Sequence, residues 1–223
     1  MRIDPEEGLA ARPLGFAAGT EILAAKSGEI AVSVNRRFIM GERFVGTLAV
    51  APIGSSRPRE EQNEIEQADW DSSGKLMAVV RSLGGRTGTS ILEYPIGNRR
   101  YETGHSIRFP RISRDGTRIA FLEDTVGSGE AGYVSVLNLA DNRVTVLTDT
   151  WRSARGLAWS VDGREIWFTA GESRANRILY AVKPDRPLNR LVLMTRRWRT
   201  RNLSWIVLIL IALGRPHAAT EPN

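Results

Sequence analysis

The chain has no cysteine in its 223 residues and only two histidines, His105 and His217. Without thiols there is no disulfide framework, no thiolate metal site and no cysteine nucleophile. Two imidazoles cannot build a multi-histidine zinc centre either. Lysine is nearly as scarce, with Lys26, Lys75 and Lys183 standing in a set of 31 bases that is otherwise arginine. No apolar run is long enough to cross a bilayer: Trp205-Ile-Val-Leu-Ile-Leu-Ile-Ala-Leu213 is about half of the ~20 residues a spanning helix needs. The opening Met1-Arg-Ile-Asp-Pro-Glu-Glu-Gly8 is acidic and lacks the apolar stretch of a secretory signal. Cytoplasm and periplasm both remain open.

The formal charge of +6 invites a nucleic-acid reading, and its distribution removes most of it. Seven of the 31 bases and one of the 25 acids fall from Arg186 onward, which leaves 24 of each before that point. A basic tail therefore follows a neutral body, whereas proteins that track phosphates spread charge over a folded face. Nucleic acid is not the expected partner.

What the chain does contain is 42% apolar residues, 21 glycines and a repeat. Ala68-Asp-Trp-Asp-Ser-Ser-Gly-Lys-Leu-Met-Ala-Val80, Pro110-Arg-Ile-Ser-Arg-Asp-Gly-Thr-Arg-Ile-Ala-Phe121 and Leu157-Ala-Trp-Ser-Val-Asp-Gly-Arg-Glu-Ile-Trp-Phe168 share one pattern. Their glycines Gly74, Gly116 and Gly163 are 42 and 47 residues apart, and a weaker copy centred on Gly28 lies 46 residues earlier. Each copy reads as an apolar strand, a turn in which Asp and Ser side chains bond backbone amides and Gly takes positive φ, and a second apolar strand. Third and fourth strands follow. Four short strands every 40–45 residues is the period of a propeller blade.

Ala158-Trp-Ser-Val-Asp-Gly-Arg-Glu-Ile-Trp-Phe168 resembles the Trp-Ser-Pro-Asp-Gly motif of TolB-like, WD-like β-propeller repeats, with Val161 and, in the preceding copy, Arg114 in place of the proline. Arg12-Pro-Leu-Gly-Phe16, Asn35-Arg-Arg-Phe38, Leu92-Glu-Tyr-Pro-Ile-Gly97 and Gly156-Leu-Ala-Trp159 are similar to the propeller that follows Ser/Thr kinase domains in some bacterial sensor kinases. The expected fold is all-β: a partial β-propeller of about four four-stranded blades with an irregular C-terminal tail. A lead-in of residues 1–12 precedes blades at 13–62, 63–106, 107–150 and 151–194, and residues 195–223 form a basic, then apolar tail that reads as an interrupted blade. Gly28, Asp71, Gly74, Asp115, Gly116, Asp162 and Gly163 are the expected repeat-turn residues. Trp70, Phe121, Trp159 and Trp167 are the expected blade-core aromatics.

Catalytic and cofactor motifs fail on context. Gly127-Ser-Gly-Glu-Ala-Gly132 satisfies Gly-x-Gly-x-x-Gly, but a strand pattern follows it where a dinucleotide site needs a helix. Gly104-His-Ser-Ile-Arg108 lacks the last glycine of a nucleophile elbow. Neither a P-loop nor the kinase His-Arg-Asp and Asp-Phe-Gly motifs occur. One aspartate per turn, at Asp115 and Asp162, cannot fill a calcium shell. The chain is thus expected to be non-catalytic, with no cofactor, no metal and no catalytic residue. It would bind a protein, a peptide or a small ligand through polar loops at 36–44, 83–88 and 124–132, as the sensory or scaffold part of a larger bacterial signalling protein. The gating propeller of a prolyl-oligopeptidase-like peptidase and a periplasmic TolB-type scaffold are the alternatives. Gly129, in the last loop, is expected to tolerate a side chain far better than Gly163.

An open arc of blades leaves strand edges free to associate. Residues 195–223 are expected not to form a proper blade, and the apolar run 205–213 either to cover such an edge or to promote self-association. Light scattering of the full chain against one ending at Met194 checks this: the shorter chain should change in oligomeric state or solubility, and an unchanged monomer makes the tail inert.

Overall fold

The computed structural model describes residues 13–83, 89–124 and 129–185, and the backbone of Val192–Leu193. The expected tail at 195–223 and lead-in at 1–12 lie outside the described residues. The strands are β1 (Glu21–Lys26), β2 (Glu29–Met40), β3 (Arg43–Pro52), β4 (Arg59–Trp70), β5 (Met77–Ser82), β6 (Ser90–Glu93), β7 (Arg99–Thr103) and β8 (Ser106–Ile112). There follow β9 (Arg118–Asp124), β10 (Tyr133–Asn138), β11 (Val144–Val146), β12 (Ser153–Trp159), β13 (Ile166–Gly171), β14 (Ile178–Val182) and β15 (Val192–Leu193). A single 3-10 turn, Arg174–Asn176, is the one helical element among the described residues, and no helix there is long and apolar enough to cross a membrane.

All pairing is antiparallel between strands adjacent in sequence, and the chain is a partial β-propeller of four-stranded blades. β8 to β11 form one blade and β12 to β15 the next. The first two blades are fused into a seven-stranded sheet because β4 serves both. Its first half pairs with β3 as the outer strand of blade one, and its second half pairs with β5 as the inner strand of blade two. The register shifts between Ile65 and Gln67, beside Glu64 at φ 62°, so a bulge bends the strand from one blade into the next. No loop separates residues 62 and 63. The polar stretch 36–44, expected as a loop, is instead the end of a long hairpin: β2 and β3 pair out to Met40 and Arg43 and leave only Gly41 and Glu42 at the tip. Backbone pairing to the partner strand, which sequence polarity does not reveal, keeps it in the ladder.

The repeat turns join the first and second strands of each blade. Ser113 Oγ donates to Asp115 (2.6 Å) and accepts the Arg118 amide (3.0 Å), and Ser160 does the same with Asp162 (2.6 Å) and Glu165 (2.9 Å). The serine hydroxyls, more than any other contact, hold the Asp115 and Asp162 carboxyls below their usual range. In blade two the pair is transposed. Asp71 stands at the serine place and Ser73 at the aspartate place, and the Ser73 hydroxyl still donates to Asp71 (2.8 Å). Gly74, Gly116 and Gly163 sit at φ 68°, 70° and 69°, which only glycine adopts without strain. In blade one the turn shrinks to Ser27 and Gly28, the latter at φ 83°.

The facing sides of neighbouring blades are apolar and are buried against each other at three joints. Ala31 and Leu48 meet Ile65 and Val79 between blades one and two, with Trp70 packed on this cluster. Val80 and Leu92 meet Ile107, Ile119 and Phe121 between two and three. Leu122 and Val136 meet Leu157, Trp159 and Phe168 between three and four. Leu14 and Phe16 pack on the outer face of blade one. The turn tryptophans reach backward. Lys26 Nζ lies 4.7 Å from the Trp70 ring centre, the Arg118 guanidinium lies 5.2 Å from that of Trp159, and the Trp159 indole donates to Arg111 O (2.8 Å). Trp167 departs from expectation. It alternates with buried Ile166 and Phe168, so strand geometry turns it to the opposite face, half-buried, with its indole donating to Glu165 (3.2 Å).

Close to the repeat turns, a polar bond crosses the joint between blades two and three: the Ile112 amide donates to Asp69 (2.9 Å). Burial pushes the Asp69 carboxyl up to about 6, against the opposing pull of Arg111 and two amides. Between its ordinary 3.8 and that value the folded chain holds a proton that the unfolded chain has released, so stability falls as pH rises through this window. Asp69→Asn keeps the acceptor and removes the ionisation. Relative to the native chain it should gain up to ~3 kcal/mol between pH 4 and pH 7, read from denaturant midpoints, and a pH-independent difference refutes this.

Candidate functional site

The loops joining second to third strands all emerge at one end of the propeller. Among the described residues these are the hairpin tip at Gly41 and Glu42, Leu83 and Thr89 at the ends of the second connection, residues 129–132 of the third, and the segment 172–177 with its 3-10 turn. The described parts of the three stretches expected from sequence lie at this end, and the fourth was missed. Of residues 83–88 only Leu83 is described.

Just below these loops the inner strand of each blade carries a bulge, between Ile22 and Ala24, Ile65 and Gln67, Arg108 and Arg111, and Arg155 and Leu157. Phe109 and Gly156, at φ 53° and 65°, break the pleat there and re-aim the adjacent side chains. In three of the blades a charged residue stands eight places before the turn glycine: Glu66, Arg108 and Arg155. The tip of the blade-one hairpin reads all three blades. Arg43 makes a two-pronged ion pair with Glu66, one prong at 2.9 Å, with both side chains almost fully buried. Glu42 pairs with Arg155 (2.6 Å) and with Arg174 of the 3-10 turn (3.0 Å). A Cβ placed on Gly129 would lie 2.9 Å from the Glu42 Cβ, so the tip rests against the blade-three loop.

Around the tip the charge is largely arginine. Arg108, 7% exposed, donates to Gly129 O (2.5 Å) and Ala131 O (2.8 Å). Burial lowers its guanidinium to about 10, with Asp124 opposing that fall and Arg155 adding to it. Asp124, fully buried, accepts the Gly129 amide (2.6 Å). Arg177 donates to Ser153 (2.9 Å), and desolvation, then Arg155 and Arg174, depresses its pKa. Arg174 also pairs with Glu130. These bonds differ in strength. Breaking one side of a buried pair such as Arg43–Glu66 costs ~3–5 kcal/mol. Pairs as open as Glu42–Arg174, with the arginine 60% exposed, contribute only ~0–1 kcal/mol. Arg43 is locked, and its neighbour Glu42 is lightly held.

A second polar knot lies between blades two and three. Buried Glu123 accepts from Thr103 (2.7 Å), meets His105 Nδ1 at 2.9 Å and receives the Tyr101 hydroxyl at 3.3 Å. Burial first, then the Glu123 charge, raises Tyr101, and raises Tyr133 to about 12. Ser106, next to His105 in sequence, is 1% exposed and its hydroxyl has no hydrogen-bonding partner. Among the described residues no three His, Asp or Glu side chains come together as a metal site requires.

No family model and no curated protein sequence matches the chain. Solved structures do. TolB from Acinetobacter baumannii superposes with a TM-score of 0.53 at 20% identity, over 70% of this chain and 41% of that one. The β-propeller domain of the Trilobed protease from Pyrococcus furiosus, described as having an open velcro topology, gives 0.52 at 11% identity, over 78% and 56%. A prolyl endopeptidase gives 0.50 at 14%, over 74% and 27%. The fold is thus a TolB-like β-propeller, and the chain spans about half or less of the proteins it resembles.

The Gly129 expectation is reversed by the geometry. Gly163 has open space around its missing Cβ, so Gly163→Ala pays only for φ, ~1–2 kcal/mol. Gly129 has φ 79° and the hairpin tip in contact as well. Gly129→Val should therefore destabilise at least as much as Gly163→Val in thermal melts, and a smaller loss would show that the tip does not rest there.

Proposed function

We propose that this chain is a non-catalytic recognition module, a propeller segment presenting its loop-bearing end to a protein, a peptide or a small ligand. The observation that carries this is the convergence of Glu42, Arg108, Arg155, Arg174 and Arg177 at that end. Such groups recognise charge through directed hydrogen bonds, and no activated nucleophile stands among them. The segments resembling kinase-attached propellers support placement in a larger bacterial signalling protein, with any kinase domain outside these residues. The likeness to a protease propeller favours a second reading, a gating domain whose hydrolase lies elsewhere.

Both readings require the chain itself to turn nothing over. His105 is engaged by Glu123, while the Ser106 hydroxyl is buried away from it. The purified chain should show no peptidase, esterase or kinase turnover and no serine labelled by a fluorophosphonate probe. Stoichiometric labelling of Ser106 that disappears in His105→Ala would overturn the proposal and make the chain a hydrolase.

A further inference from the structure

We infer that the arginine cluster at the loop-bearing end is a receiving site for an acidic peptide segment, and that Glu42 occupies it as an internal stand-in which the peptide must displace. The inference rests on the reading of that end as the binding face. Its first support is that the site already holds a carboxylate delivered from a distance. Glu42 is 113 residues from Arg155 and belongs to a different blade, yet it bridges Arg155 and Arg174.

The second support is surplus cationic capacity. Arg177 Nη2 and Arg108 Nε are buried without a hydrogen-bond partner, and desolvation first, then the charges of Arg155 and Arg174, depresses Arg177 against the opposing pull of Glu42. Four guanidinium groups, of Arg108, Arg155, Arg174 and Arg177, stand here against three carboxylates, of Glu42, Asp124 and Glu130. The third is mechanical. Arg43–Glu66 anchors the hairpin directly beside its tip, whereas the Glu42 pairs are solvent-accessible, with Glu42 27% and Arg155 29% exposed. Glu42 can therefore leave its partners while Arg43 keeps the hairpin attached.

The chemistry selects the ligand class. Guanidinium groups from β12 and from the 172–177 segment meet carboxylates supplied by two other loops, Glu42 and Glu130, while Arg108 of β8 feels Asp124 and Glu42 by charge. A ligand that replaces Glu42 and also satisfies Arg177 must offer more than one carboxylate along a flexible chain. An Asp- or Glu-rich peptide does so, and paired Arg–carboxylate bonds give it specificity.

The test is anisotropy of a fluorescein-labelled hexaglutamate peptide, with hexaglutamine as the uncharged control. Glu42→Ala and Glu42→Gln should each bind hexaglutamate at least about fivefold more tightly than the native chain, the range of a typical coupling between competing contacts. Adding Arg155→Ala or Arg174→Ala should abolish the gain. Adding Arg114→Ala, an exposed arginine of a repeat turn at the opposite end, should leave it intact. In the unaltered chain, saturating hexaglutamate should speed tryptic cleavage after exposed Arg37 while Arg43, held by Glu66, stays uncut, a readout independent of how the variants fold. Equal affinity in the native chain and the Glu42 variants, or unchanged cleavage, overturns the displacement. Loss of binding in Arg114→Ala to the same degree reduces the effect to diffuse attraction and overturns the site. Failure of every variant to bind overturns the acidic-peptide inference and leaves the recognition module standing, since that falls only with turnover or Ser106 labelling.

Discussion

A sheet that is apolar on both faces cannot stand alone in water, and every feature of this molecule follows from stacking such sheets side by side. Phe121 and Phe168 are fully buried only because the neighbouring blade is there. Each large apolar side chain so covered contributes ~1.5–3 kcal/mol, which no single blade could collect from its own four strands. Cooperativity therefore runs through the joints between blades. The polar links across those joints set their angle: the Ile112 amide on Asp69, the Trp159 indole on Arg111 and the cations over Trp70 and Trp159.

Stacking fixes where the inner strands converge, and the bulges decide what they show there. A regular strand would return the residue eight places before each turn glycine to the apolar rhythm of its face. The bulge breaks that rhythm at the same point in successive blades, bringing Glu66, Arg108 and Arg155 toward one end. The hairpin of blade one answers this pattern with adjacent opposite charges, Arg43 for Glu66 and Glu42 for Arg155. One of these pairs is buried and costly to break, the other accessible and weak. That asymmetry sets a fixed residue, Arg43, beside a releasable one, Glu42.

The Glu123 knot and the turn aspartates show two other uses of charge in this fold. Glu123 is buried among hydroxyls and an imidazole that satisfy it, a structural solution which leaves Ser106 outside. The turn aspartates are exposed, and their serine partners keep them ionised where they brace the backbone amides of a tight reversal. The transposition of Asp71 and Ser73 shows that the bond matters and its direction does not.

By itself the sequence determined the blade period, the four-strand content and the turns. These depend on short-range chemistry: glycine at positive φ, Ser and Asp bonding amides two residues away, and apolar residues in runs of strand length. The same local reasoning identified the second-to-third-strand loops as the place to look for binding. Only the tertiary structure decided the rest. It made residues 36–44 a hairpin, turned Trp167 out of the core and ran β4 through two blades, because strand pairing and face are set by partners far along the chain. It also assembled the charged site, whose members lie on separate blades, with Glu42 and Arg155 113 residues apart. The recurrence of charge at Glu66, Arg108 and Arg155 was visible in the repeat spacing. Their convergence was not, because a bulge that re-aims a side chain leaves no mark on composition, and an ion pair between blades exists only once the blades are stacked.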